Sequence, residues 1–141
     1  MRDEDYIIDL CDAVLGQAAE RQKTFEFLRG DGTPGARLPV DAFYPELQLA
    51  IEYRERQHTE SVPFWDRKPT VSGVSRGEQR RRYDERRRTT LPRYGISLIE
   101  LSYSDFEHDS AKRLVRNSGA DRKVVFTKLS RWVTAASNPS S

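Results

Sequence analysis

Apolar positions fall into short runs whose spacing changes along the chain. Between Asp3 and about Ala19, the residues Tyr6, Ile7, Leu10, Cys11, Val14 and Leu15 form adjacent pairs recurring every four positions, the stripe of an amphipathic helix. Phe25 and Phe27 then alternate with polar residues, and a Gly/Asp/Pro cluster separates them from a second apolar run ending at Tyr44. This predicts two strands joined by a loop. After Pro45 the segment LQLAIEYRE places Leu47, Leu49, Ile51 and Tyr53 on one face of a strand and Gln48, Ala50, Glu52 and Arg54 on the other. A connection follows that holds Pro63, Pro69 and Gly73 beside Phe64 and Trp65, too long for a tight turn and of a kind that often carries function. Ser75 with Glu78 predicts a capped start for an arginine-rich helix that Pro92 and Gly95 close. ISLIELSY reads as a buried strand, and Ser104 with Glu107 predicts a helix through Phe106, Ala111, Leu114 and Val115 to about Gly119. Val125, Phe126, Leu129, Trp132 and Val133 predict a last helix, before a tail over 134–141 expected to be disordered. The order α, three strands, α, β, α, α predicts one α/β (α+β) domain over 1–133, a central mixed sheet of about four strands flanked by helices.

The faces of the two strands around Pro45 set their register. An antiparallel hairpin with a loop over Pro45–Gln48 pairs Val40 with Tyr53, Ala42 with Ile51 and Tyr44 with Leu49, so one side is wholly apolar. A slip of one residue buries Glu52 against that side, which the pattern opposes. On the other side Asp41 then lies across from Glu52, with Cβ atoms roughly 4.5 to 5.5 Å apart. Two carboxylates held so close repel unless a cation sits between them or one takes up a proton. A divalent metal is a natural occupant, and Mg²⁺ accepts two carboxylates while leaving positions for water and phosphate oxygens. Arg54 emerges on the same face two residues past Glu52, as do Arg56 and His58 if the strand continues.

Composition narrows the class. The chain has 141 residues, 33% of them charged and 36% hydrophobic, and a mean hydropathy of -0.79, consistent with one soluble, polar domain. No apolar run approaches the roughly 18 residues of a membrane span, and MRDEDY has no signal-peptide character, so a cytoplasmic protein with no membrane partner is expected. The single Cys11 reads as a buried structural residue. The net charge of +2 conceals a basic segment, RGEQRRRYDERRRTTLPR, whose arginines suit phosphate forks. The alternative for that segment is a solvated helix laced with i,i+4 pairs such as Glu78 with Arg82 and Asp84 with Arg88.

PVDAFYPELQLAIEYRERQH, followed by RRRYDERRRTTLPRYGISLIELSY, resembles the core of the PD-(D/E)XK nuclease superfamily, in particular its very-short-patch-repair-like branch. The resemblance spans roughly residues 24–103. It implies a restriction-endonuclease-like fold in which a strand hairpin presents an aspartate and then a (D/E)-x-K element around a metal that cleaves DNA. Asp41 matches the aspartate, Glu52 matches the acidic residue, Arg54 stands in place of the lysine, and His58 matches a histidine of the repair-like branch. The helix with Tyr83, Asp84 and Arg87, and the strand GISLIEL, match the elements that follow.

Three functions are therefore carried forward. The first is a Mg²⁺- or Mn²⁺-dependent endonuclease acting on DNA, with RNA as a further substrate class. Its metal ligands are Asp41 and Glu52, its transition-state cation is Arg54, and its general acid or base is His58. Arg56, Lys68, Arg80, Arg81, Arg87 and Arg88 would contact nucleic acid. Double-strand cleavage by such a subunit calls for a homodimer or two successive nicks. The second is a catalytically inactive nucleic-acid-binding protein on the same scaffold, because guanidinium supplies charge but not a base. The third is a protein-interaction domain whose basic helix meets an acidic partner.

Overall fold

The computed structural model describes residues 1–55 and 73–136. Helix α1 (Asp3–Leu15) buries Ile7, Ile8, Cys11 and Leu15 and ends at Gly16, whose φ of 70° supplies the left-handed turn of a helix C-terminus. Among the described residues six strands follow, in the order β1 (Glu20–Lys23), β2 (Arg29–Gly32), β3 (Gly35–Arg37), β4 (Val40–Tyr44), β5 (Leu49–Arg54) and β6 (Ser97–Ser102). Helix α2 (Arg76–Arg93) connects β5 to β6, and helix α3 (Ser118–Ala136) closes the described chain. The main sheet is four-stranded and mixed, in the order β1-β4-β5-β6, while β2 and β3 form a separate hairpin. Strands β1, β4 and β5 run as an antiparallel meander and β6 lies parallel to β5. That parallel pairing needs a crossover, which α2 provides.

Helices cover both faces of the sheet. On one face α1 and α3 pack with Ala42, Tyr44, Leu49, Ile51, Tyr53 and Leu101. On the other, Leu91 of α2 packs with Val40, Phe43, Ala50 and Ile96. Asp12 fastens α1 to the sheet by accepting the Tyr44 hydroxyl at 2.6 Å, and the Tyr6 hydroxyl donates to Asp121 of α3 at 2.5 Å. Cys11 is fully buried beneath α1, and burial pushes its thiol up to about 12, which makes it a packing residue.

The α+β class and four-strand sheet agree with the pattern, and the hairpin register is observed at Ala42 with Ile51 and Tyr44 with Leu49. Several local expectations change. Strand β1, ERQK, is polar and exposed along its edge and has no apolar alternation to announce it. Phe25 and Phe27 are not in a strand: their rings stack on each other at 5.1 Å, Phe25 meets Phe43 and Phe27 meets Tyr94. Val40 packs in the cluster with Leu91, apart from the one that holds Tyr53. The helix expected from Ser104 is replaced by a single 3-10 turn, Tyr103–Asp105, where Ser102 and Asp105 cap each other. The Asp109 carboxylate then takes the N–H groups of Ala111 and Arg113, and Asp3 takes that of Leu114, so side-chain acceptors displace the helical ladder. Helix α3 begins earlier than expected and continues through Ala136, into the segment expected to be a disordered tail.

In the β2–β3 hairpin, a Cβ at Gly35 would fall 1.9 Å from the Gly30 carbonyl oxygen, with backbone on both sides. Gly35→Ala is expected to lower stability by about 1–3 kcal/mol or more, since neither partner is a side chain that can swing away. Urea denaturation measures this, and an unchanged midpoint would contradict the hairpin packing.

Candidate functional site

The site begins where the β4–β5 ladder stops. Backbone pairing runs from Tyr44 and Leu49 to Ala42 and Ile51, and the next positions are Asp41 and Glu52. There the side chains replace the ladder. The Asp41 N–H donates to Glu52 Oε2 at 2.8 Å, and the Tyr53 N–H donates to Asp41 Oδ2 at 2.7 Å. Each carboxyl thus takes a backbone N–H from the opposite strand, which brings the two side chains together. Their expected adjacency is therefore present, as a pair of interlocked side chains and not as a ladder pair.

Helix α2 lies over this face. Asp84, Arg87, Arg88 and Leu91 fall at i, i+3, i+4 and i+7, a stripe turned toward the sheet, in which Leu91 meets the apolar half and the charged residues meet Glu52 and Glu100. Arg54 reaches Glu100 at 2.7 Å, Asp84 at 2.9 Å and Glu52 at 3.5 Å. Arg87 reaches Glu52 and Asp84 at 3.1 Å each and donates to the Pro39 carbonyl at 3.0 Å. Arg88 grips Glu100 at 2.7 Å and Glu85 at 3.1 Å. Glu52 and Asp84 are 2% and 3% exposed, so these are desolvated charges whose pairing is obligatory. Among the described residues the ion pairs of the cluster fall on Glu52, Asp84 and Glu100 and leave out Asp41.

Titration follows from this imbalance. Burial pushes the Glu52 carboxyl up to about 8, the negative Asp41 beside it adds to the shift, and Arg87 and Arg54 only partly offset both. Burial also raises Glu4 of α1, with Asp41 the next cause, so a third carboxylate feels the same charge. Glu4 is held by Arg2 at 3.1 Å and by Gln22 at 3.2 Å. Glu100 moves the other way: burial alone would raise it, but hydrogen bonds from Arg88 and Arg54 outweigh that and lower it.

Among the described residues no three His, Cys, Asp or Glu side chains converge to hold a metal ion. Asp41 and Glu52 are the adjacent carboxylates that could hold one: as oxygen donors they fit a hard divalent cation such as Mg²⁺, which takes such a pair with water completing its shell. Arg80 and Arg81 lie on α2, with Arg81 paired to Glu78 at 2.7 Å. The side chains of Arg87 and Arg88 are 13% and 32% exposed, turned to carboxylates of the cluster. Arg56, His58 and Lys68, like Phe64 and Trp65 of the long connection, lie outside the described residues. The i,i+4 pairs expected on α2 are replaced by i,i+3 pairs, Glu78 with Arg81 and Asp84 with Arg87, because Arg82 turns to Asp31 and Arg88 to Glu100.

Two members of the cluster escaped the sequence reading, although each had a signal. Glu4 occupies a position of the α1 stripe that continues through Ile8, Cys11 and Leu15, and Glu100 is a lone charge inside ISLIEL. A charged residue at a core position marks a site or an ion network. Comparison with protein-family models, with curated proteins and with solved structures returns no match.

The Glu52 shift has a consequence for stability. Between the ordinary carboxyl value of 4.5 and about 8, the folded protein holds a proton that the unfolded chain has released. The contribution of this group is therefore complete below the lower value and is lost as pH rises through the upper one. Glu52→Gln is expected to flatten the fall of Tm across that window relative to the unsubstituted protein. Parallel Tm profiles for the two proteins would rule out the raised carboxyl.

Proposed function

We propose that the chain is a metal-dependent endonuclease that hydrolyses DNA phosphodiester bonds. The observation that carries this reading is the interlocked pair of Asp41 and Glu52 at the point where β4 and β5 stop pairing: two adjacent carboxyls, each fixed by a backbone N–H of the opposite strand, with Glu52 raised by burial and by Asp41. The meander and parallel strand with helices on both faces agree with the architecture implied by the PD-(D/E)XK resemblance. Asp41 and Glu52 would hold Mg²⁺ or Mn²⁺, which when bound supplies Lewis-acid charge and a water of lowered pKa.

The chain's own residues account for orientation and charge. The Tyr53 N–H fixes one oxygen of Asp41, and the Asp41 N–H with Arg87 fixes Glu52, so neither carboxyl is free to rotate. Arg54 is held beside them by Glu100 and Asp84, and a guanidinium so placed offers positive charge to a phosphoryl group without being able to take up a proton. Proton transfer therefore falls to another residue, for which His58 is the candidate.

A second reading, an inactive nucleic-acid-binding protein, is favoured by one observation: Arg54, at the lysine position of the resemblance, is tied to three carboxylates. Incubation of supercoiled plasmid and labelled oligonucleotide with purified protein in Mg²⁺ or Mn²⁺ separates the readings. Cleavage that depends on the metal and drops by more than about 100-fold in Asp41→Asn and in Glu52→Gln supports the nuclease. Binding without turnover selects the second reading, and full activity in both variants sinks the proposed site.

A further inference from the structure

The positive charge of α2 is largely spent within the molecule. Arg81 pairs with Glu78, Arg82 and Arg86 with Asp31, Arg87 with Glu52 and Asp84, and Arg88 with Glu100 and Glu85. Helix α3 is the opposite case. Asp121, Val125 and Leu129 face the core at i, i+4 and i+8, and Asp121, the acidic residue of the helix, is 2% exposed. Its carboxylate accepts the Tyr6 hydroxyl at 2.5 Å and the Asn117 N–H at 3.0 Å, so it offers nothing to a surface cation. Arg122, Lys123 and Arg131 are exposed and have no carboxylate partner among the described residues. Lys128 reaches Asp105 at 3.5 Å, and the Arg131 guanidinium lies 5.5 Å over the Trp132 ring. Phe126, 51% exposed, stands on the same helix between these cations.

We infer that the exposed side of α3 is a nucleic-acid backbone-binding surface, with Arg122, Lys123 and Arg131 on phosphates and Phe126 against a sugar or base. This rests on the nucleic-acid reading proposed above and relocates its phosphate contacts from α2. Lys123 and Arg131 are eight residues apart in the sequence, about 12 Å along the helix, which spans several of the charges that a duplex strand presents every 3.4 Å or so. One apolar side chain among four cations suits a charged, hydrated backbone better than a lipid surface, where binding grows with buried apolar area. A binding surface of this kind carries no base-specific information.

The test is fluorescence anisotropy of a labelled DNA duplex in EDTA over a series of KCl concentrations, so that no cleavage takes part. The triple variant Arg122→Gln/Lys123→Gln/Arg131→Gln is expected to flatten the slope of log K against log salt by about 2 to 3, near 0.9 for each phosphate no longer neutralised. Lys123→Gln alone should reduce it by about 0.9, which keeps the test valid if the triple variant folds poorly. Arg81→Gln, whose guanidinium on α2 is paired with Glu78, should leave the slope unchanged. An unaltered slope in the α3 variants overturns the inference, as does binding of the unsubstituted protein to anionic phosphatidylserine vesicles but not to DNA. If no variant or metal yields cleavage while the α3 slope change is present, the nuclease reading fails and this surface stands.

Discussion

Everything in the site depends on an exchange of backbone donors between β4 and β5. A buried N–H left without an acceptor costs more than a typical hydrogen bond contributes, so two strands cannot part inside a protein unless something else takes their ladder bonds. Here the acceptors are the Glu52 and Asp41 carboxylates, each receiving an N–H from the opposite strand at 2.8 and 2.7 Å. The ladder ends without orphaned donors, and the two acids are held together as a by-product. Burial raises Glu52 and Glu4 of α1, and the negative charge of Asp41 adds to both shifts.

The remainder of the charge cluster answers that repulsion. Arg54 from β5 and Arg87 from α2 reach Glu52 from two directions, and Asp84 bridges the two guanidiniums at 2.9 and 3.1 Å. Deleting one member of such a network leaves a buried charge uncompensated, whereas replacing a whole pair by apolar residues can be neutral. The cluster is also a constraint on the surface. The α2 guanidiniums of Arg82, Arg86, Arg87 and Arg88 are turned to Asp31, Glu52, Asp84 and Glu100, whereas on α3 the acidic Asp121 is turned inward and the cations face out.

Legibility differed by element for physical reasons. The hairpin register was readable because a strand has a period of two and a slip would have buried Glu52 among Ala42, Ile51 and Tyr53. The capped start of α2 was readable because Ser75 accepts the Glu78 N–H at 3.2 Å, a purely local bond. Strand β1 was not, since an exposed edge strand is held by pairing to β4 and needs no apolar face. The missing helix after Ser104 had the right cap residues, but Ser102 with Asp105 made a competing cap two residues earlier, and the acceptors on Asp109 and Asp3 then took the N–H groups that a helix would have used.

The sequence by itself determined which strand faces were apolar, and through them that Asp41 and Glu52 had to meet. That information is local in period and needs only one partner strand. It could not decide which of the arginines of α2 would be structural. Arg80, Arg81, Arg87 and Arg88 look alike in a run of guanidiniums, and only the packing of α2 on the sheet makes Arg87 a 13%-exposed partner of Glu52 and leaves the side chain of Arg81 at 38%. That packing rests on Leu91, one turn from Arg87, meeting Val40, Phe43 and Ala50 of strands distant in the chain, and so it belongs to the tertiary structure alone.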